Sequence, residues 1–177
     1  DPGGIQGWAG PGMYIVSDTA FAPPPGDGNA GTGYDSVSAD QTAKNCLTVG
    51  AVDDVTADPY VSTNITMSSF SGWGPTDDGR IKPDVVGNGI DLYSSLASAN
   101  NAYGSMSGTS MSSPNVAGSS VLLVEHFENA LGYTPRSATT KGLIIHTAAD
   151  AGTIGPDYAY GWGLMDTKAA AEFVTEA

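Results

Sequence analysis

The sequence predicts a layered α/β domain, and three observations carry that prediction. Short strand-like runs dominate the first half, helical runs dominate the second, and no internal repeat interrupts the order. The chain has 177 residues, of which 40% are hydrophobic and 14% charged, with 24 Gly and 11 Pro, so it reads as one folded, loop-rich domain with a sizeable core. A single almost wholly apolar segment after residue 110 supplies an interior helix.

The elements follow in order. Residues 1–12 are rich in Gly and Pro and read as loop. Met13-Tyr-Ile-Val-Ser17 is a short buried strand, and residues 18–40 form a long loop. The next strand runs from Lys44 to Val52 and ends at Asp53 and Asp54. Thr66–Ser71 is a weaker strand, followed by turns at 72–75 and 77–79. Asp84-Val-Val86 and Ile90–Leu96 are further strands, and a polar loop leads from there to Ser110. From Met111 the apolar residues Val116, Ala117, Val121, Leu122, Leu123, Val124 and Phe127 cover nearly the whole helix circumference, which predicts burial in the middle of the domain. Pro114 is expected in or just past its first turn, where a missing N–H costs little. A second helix spans Ser137 to Ala149, and Asp166 caps a last one reaching Val174.

Composition excludes some partners. With 19 acidic and 6 basic side chains, a formal net charge of −13 argues against nucleic acid or an anionic membrane and suits a secreted or salt-exposed protein. No apolar run approaches the ~20 residues of a membrane span. The lone Cys46 lies within the apolar, strand-like run Asn45-Cys-Leu-Thr-Val-Gly-Ala-Val52 and is expected to be a buried, inert thiol. The chain opens at Asp1-Pro-Gly-Gly without a Met or a signal peptide, as a processed or truncated product would.

The candidate chemistry centres on Gly108-Thr-Ser-Met-Ser-Ser-Pro-Asn-Val-Ala-Gly118. Ser110 lies where a small-residue loop meets the apolar helix, and a helix start offers unpaired N–H groups and partial positive charge to a developing oxyanion. An α/β-hydrolase elbow is excluded, because position 112 is Ser where Gly is needed. The segment resembles the serine motif Gly-Thr-Ser-Met-Ala-x-Pro-His-Val-Ala-Gly of subtilisin-like serine peptidases, with Ser112 and Asn115 in place of the commoner Ala and His. Further stretches match that family in order: Leu47-Thr-Val-Gly-Ala-Val-Asp53, Ser69-Phe-Ser-Gly-Trp-Gly-Pro75, Lys82-Pro-Asp-Val-Val86 and Tyr160-Gly-Trp-Gly-Leu164, with Gly87-Asn88-Gly89 replacing the usual Ala-Pro-Gly.

The resemblance implies a three-layer sandwich with a mostly parallel sheet and helices on both faces. It also implies an acyl-enzyme mechanism with Ser110 as nucleophile on peptide or protein substrates. A subtilisin-type triad runs Asp, His, Ser along the chain, but the Asp and His segments expected before Tyr14 are absent. Residues 1–177 therefore read as the C-terminal portion of a single peptidase domain. The N-terminal portion, as preceding sequence or a separate chain, is the partner implied, lying beside the strand at Tyr14. By itself the chain is expected to be inactive. A catalytically silent fragment or pseudo-peptidase, retained for fold or binding, is the competing reading.

The histidines present do not fill the gap. His126 is 16 residues beyond Ser110 on one helix, roughly 24 Å away at 1.5 Å per residue, and His146 belongs to a structural helix by the resemblance. Neither has a second His at zinc-ligand spacing. The family's oxyanion Asn should follow Val16, where Ser17-Asp-Thr-Ala20 stands instead. Either Asp18 takes the position, as an Asp does in part of the proprotein-convertase branch, or the loop is rearranged. An ionised Asp18 would repel an oxyanion, and loss of such a donor typically costs about 10²–10³ in turnover.

No cofactor is required for this chemistry. Many members of the family bind structural calcium, but Asp53, Asp54, Asp58, Asp77 and Asp78 follow no spaced-oxygen motif and read as solvated turns. Asn64-Ile-Thr66 matches a glycosylation sequon, and Trp73, Tyr158, Tyr160 and Trp162 read as packing residues.

Overall fold

A computed structural model of the chain describes residues 34, 36, 37, 39–55, 60–76 and 78–176. The expected strand at Met13–Val16, and with it Asp18, Asp58 and Asp77, lies outside the described residues.

The centre is a short parallel pair, β1 (Val49–Val52) and β2 (Val85–Asn88), in register from Val49 opposite Val85 to Val52 opposite Asn88. Leu164 continues the sheet by a parallel bridge to Val86, and Ala149 bridges to Leu164 in the antiparallel sense. The weaker strand expected at Thr66–Ser71 is reduced to an antiparallel bridge between Met67 and Val52. Its residues instead serve β1 one at a time, Ser68 N–H donating to the Ala51 carbonyl and Ser71 Oγ accepting from Ala51 N–H.

Alternation along β2 sorts the core into two clusters. Val85 faces the three helices with Val116, Leu123, Phe127, Ile144 and Val174. Val86 faces the other way, into a layer of loops with Val52, Val55, Ile65, Ala151 and Leu164. Among the described residues all three helices therefore lie on one face of the sheet, and loops line the other.

Helix α1 (Thr109–Leu131) packs on both strands and on α2 (Ser137–His146) and α3 (Thr167–Glu176). It starts two residues earlier than the apolar pattern suggests, which puts Pro114 in the second turn. Without an N–H, Pro114 cannot complete the helical bond to the Ser110 carbonyl. The C-terminus of α1 is closed by Gly132 in the left-handed region, its N–H donating to the Glu128 carbonyl. Helix α2 ends at His146 rather than Ala149, because Ala149 is drawn into its bridge with Leu164. Asp166 caps α3 as its position suggests, Oδ1 accepting from Ala169 N–H at 2.8 Å.

Two expectations are corrected. The polar loop before Ser110 contains a strand: β3 (Leu92–Ser95) pairs antiparallel with β4 (Tyr103–Met106), and Tyr93 stacks on Tyr103 across the pair with centroids 6.0 Å apart. Helix α1 is not buried all round. Val116, Leu123 and Phe127 are in the core, whereas Val121 and Leu122 are 68% and 62% exposed. The described layers cover one side of the helix only.

Candidate active site

Close backbone approach brings the start of α1 onto the end of β2. The helix-facing positions of β2 and its extension are Val85, Gly87 and Gly89, so bulk disappears towards the C-terminal end of the strand. A Cβ on Gly87 would lie 2.7 Å from Val116 Cγ2, and one on Gly89 would lie 2.7 Å from Ala51 Cβ and 3.4 Å from Ser112 Cβ. Gly87-Asn88-Gly89 thus leaves room for the helix, and Gly108 N–H fixes the approach by donating to the Gly89 carbonyl at 2.8 Å.

At the helix start, Gly108 is the N-cap with φ 149°, and no side chain caps it. Its carbonyl accepts from Met111 and Ser112 N–H at 2.9 and 3.2 Å. The buried Ser112 turns its hydroxyl back to the Thr109 carbonyl at 3.1 Å, so Ser112 supports the turn and Ser110 is the exposed member of the pair. The amides of Thr109 and Ser110 occupy the open end of the helix, where α-helical geometry offers no intrahelical acceptor.

Ser110 lies between two concavities. One, about 430 Å³, is formed by β3, β4 and the helix start, with Leu92, Leu96, Met106 and Met111 among its walls. The other, about 360 Å³, is walled by Gln41, Cys46, Leu47 and Thr48 opposite Ser110 and Ser113. Cys46 is accordingly exposed, contrary to the buried thiol its apolar neighbours suggest. The apolar run becomes a strand only at Val49, and Cys46 occupies the bend before it.

The histidines are engaged elsewhere. His126 Nε2 is 3.1 Å from the Ala171 carbonyl and 3.0 Å from Thr175 Oγ1, tying α1 to α3. His146 meets Phe173 edge-on with centroids 5.0 Å apart. Neither is among the residues around the two concavities.

The acidic turns are internally bonded. Asp54 Oδ1 accepts from Asn88 Nδ2 at 2.8 Å, and Asp53 Oδ1 from Ser68 Oγ at 3.3 Å. The Arg80 guanidinium and the Thr76 hydroxyl on Asp78 lower its pKa to about 2. Asn64 of the sequon is exposed. Tyr34 packs edge-on against Trp73 and Tyr158, and Tyr160 Oη accepts from Met67 N–H, so these aromatics hold loops together.

One cluster was not legible as a site. Asp84 is buried between two ammonium groups, Lys82 Nζ at 2.7 Å from Oδ2 and Lys141 Nζ at 2.9 Å from Oδ1. Lys82 is only 2% exposed; burial pushes its pKa below the ordinary lysine value, and the hydrogen bond and charge of Asp84 offset this in part. The Lys82-Pro83-Asp84 stretch signals the first pair in sequence, whereas nothing near Lys141 signals the second.

Comparison with known proteins fits this geometry. A family model, Peptidase_S8, the subtilase family, matches residues 26–163. The chain belongs to the subtilase family. This subtilase chain is 40% identical over 94 residues to a C5a peptidase of Streptococcus pyogenes serotype M3, a match covering 53% of this chain and 8% of that protein. It is 36% identical over 115 residues to pyrolysin of Pyrococcus furiosus, covering 55% and 8%, and 33% identical over 111 residues to the serine protease AprX of Bacillus subtilis, covering 55% and 24%. The match thus spans a quarter or less of each of these relatives.

Among solved structures, the CspB protease of Clostridium perfringens superposes with TM-score 0.65 at 24% identity, over 81% of this chain and 30% of that one. The patellamide maturation protease PatA gives 0.64 at 23% identity, over 85% and 50%. The fold is therefore subtilisin-like α/β, and this subtilase aligns with half or less of either structure. Among the described residues, no helix is long and apolar enough to cross a membrane.

Proposed function

We propose that Ser110 is the nucleophile of a serine endopeptidase. An N-terminal portion of the same domain, as preceding sequence or a separate chain, supplies the His and Asp. The observation that carries this reading is the placement of Ser110: exposed, at the open end of a helix held down by Gly87 and Gly89, between two concavities. Ser110 Oγ attacks the peptide carbonyl and gives its proton to the imidazole of the supplied His, while the first amides of α1 stabilise the oxyanion. Collapse of the tetrahedral intermediate breaks the C–N bond, and the imidazolium protonates the leaving amine. Water, deprotonated by the same imidazole, then hydrolyses the acyl-enzyme.

The outward face of α1 supports a companion portion. Val121 and Leu122 would each contribute about 1–2 kcal/mol on being covered. The acidic composition supports secretion or an extracytoplasmic location, and membership of the subtilase family supports peptide or protein as substrate. With His126 and His146 held at α3, residues 1–177 alone are expected to hydrolyse no peptide.

A silent fold kept for binding is the second reading. It is favoured by Ser17-Asp-Thr-Ala20 standing in sequence where the oxyanion Asn is expected, and by the lack of a histidine among the residues around Ser110. Hydrolysis of an unstructured protein by the natural full-length polypeptide, with and without Ser110→Ala, separates the two. The enzyme reading expects activity lost in the variant. Equal hydrolysis by both proteins, or none by either, overturns it.

A further inference from the structure

We propose that Asp84, gripped by Lys82 and Lys141, is a positioning device that fixes residues 44–48 as one wall of the concavity at Ser110. The inference rests on the reading of Ser110 as nucleophile, because only then is that concavity where substrate lies.

The argument begins with a count of protons. Two ammonium groups bring six N–H donors to a site holding one carboxylate. Asp84 Oδ2 also accepts from Thr48 N–H at 2.7 Å, so its capacity is shared with the backbone. The remaining protons need other acceptors, and residues 44–48 supply them. The Cys46 carbonyl accepts from Lys82 Nζ at 3.1 Å and from Lys141 Nζ at 2.7 Å. The Lys44 carbonyl accepts from Lys141 at 3.2 Å, and Thr48 Oγ1 accepts from Lys82 at 3.1 Å.

The stretch is thereby held from inside by its own carbonyls, and the Cys46 side chain is left exposed at the edge of the concavity. Lys82 and Asp84 precede β2, Lys141 belongs to α2 and Thr48 precedes β1, so the cluster joins three elements to one wall. A buried charge pair is weak grounds for stability, since desolvation offsets much of its attraction. What it supplies here is geometry: the Lys44 and Cys46 carbonyls and Thr48 Oγ1 each have a fixed donor, with Ser110 and Ser113 across the gap.

Lys141→Met in the natural full-length protein is the test, because it removes one grip and leaves the Lys82–Asp84 pair in place. Hydrogen exchange of the 44–48 amides is expected to speed up about tenfold with amides 120–130 unchanged. KM for a peptide substrate is expected to rise about tenfold with kcat within about twofold, and Lys141→Arg to restore both. Uniformly faster exchange with KM unchanged would mean the cluster only stabilises the fold, and would overturn the proposal. So would a failure of Arg to rescue. Should Lys141→Met not fold, Thr48→Val removes one acceptor while keeping both lysines and is read by the same two measurements. If Ser110→Ala leaves hydrolysis unchanged, the nucleophile reading falls, and the exchange comparison by itself upholds or overturns the clamp.

Discussion

The two faces of α1 carry similar residues and meet different surroundings. On one, Ser112, Val116, Leu123 and Phe127 pack into the sheet and the other helices. On the other, Ala117, Gly118, Val121 and Leu122 are exposed. One face is finished and the other is not, although the helix is nearly as apolar on both. The difference teaches that apolar composition alone does not decide which face of α1 is covered, and the uncovered face is where the proposed companion portion would pack, with Ser110 at the start of the same helix.

Truncations on the two faces sharpen the contrast. Leu123→Ala opens a cavity in the core and is expected to cost about 2–5 kcal/mol, read from the urea midpoint. Gly118→Ala is expected to act in the opposite direction. No atom lies within 4 Å of a Cβ placed there, and alanine in a helix interior is favoured over glycine by about 0.5–1 kcal/mol. In the full-length protein the sign should reverse if a second element packs closely on this face. Stabilisation in both settings would break the account of an unfinished face. Leu122→Ala should shift residues 1–177 alone by less than about 0.5 kcal/mol, and by clearly more where the proposed N-terminal portion is present.

The smallest effect is a control away from α1. Asp78 has its pKa lowered to about 2 by Arg80 and Thr76, so its contribution is complete above the ordinary value of 3.8 and lost as pH falls through about 2. Asp78→Asn should flatten that part of the urea midpoint against pH without changing the α1 contrast. It is exposed and bonded to a flexible guanidinium, so the change should be slight.

Much of this was legible in the sequence, for local reasons. The presence and order of the three helices and the Asp166 cap followed from periodicity and capping chemistry, and Gly108 with Ser110 marked where α1 begins, although α1 starts two residues early and α2 ends three residues short of the pattern. Strand β4 was not legible, because Tyr103-Gly-Ser-Met106 has no alternation and gains its order only by pairing with β3. The exposure of Cys46 was not legible either, since it follows from carbonyls turned inward to Lys82 and Lys141, the second from a helix 95 positions away. The apolar circumference of α1 was read correctly as composition. Its exposure depends on what lies against it, which no local pattern encodes.

Covalent labelling measures the central claim most directly. The natural full-length protein, treated with a fluorophosphonate and digested, should carry the label on the peptide containing Ser110, and Ser110→Ala should remove it together with hydrolysis. Label on another residue, or active protein that leaves Ser110 unmodified, would contradict the assignment of Ser110 as nucleophile.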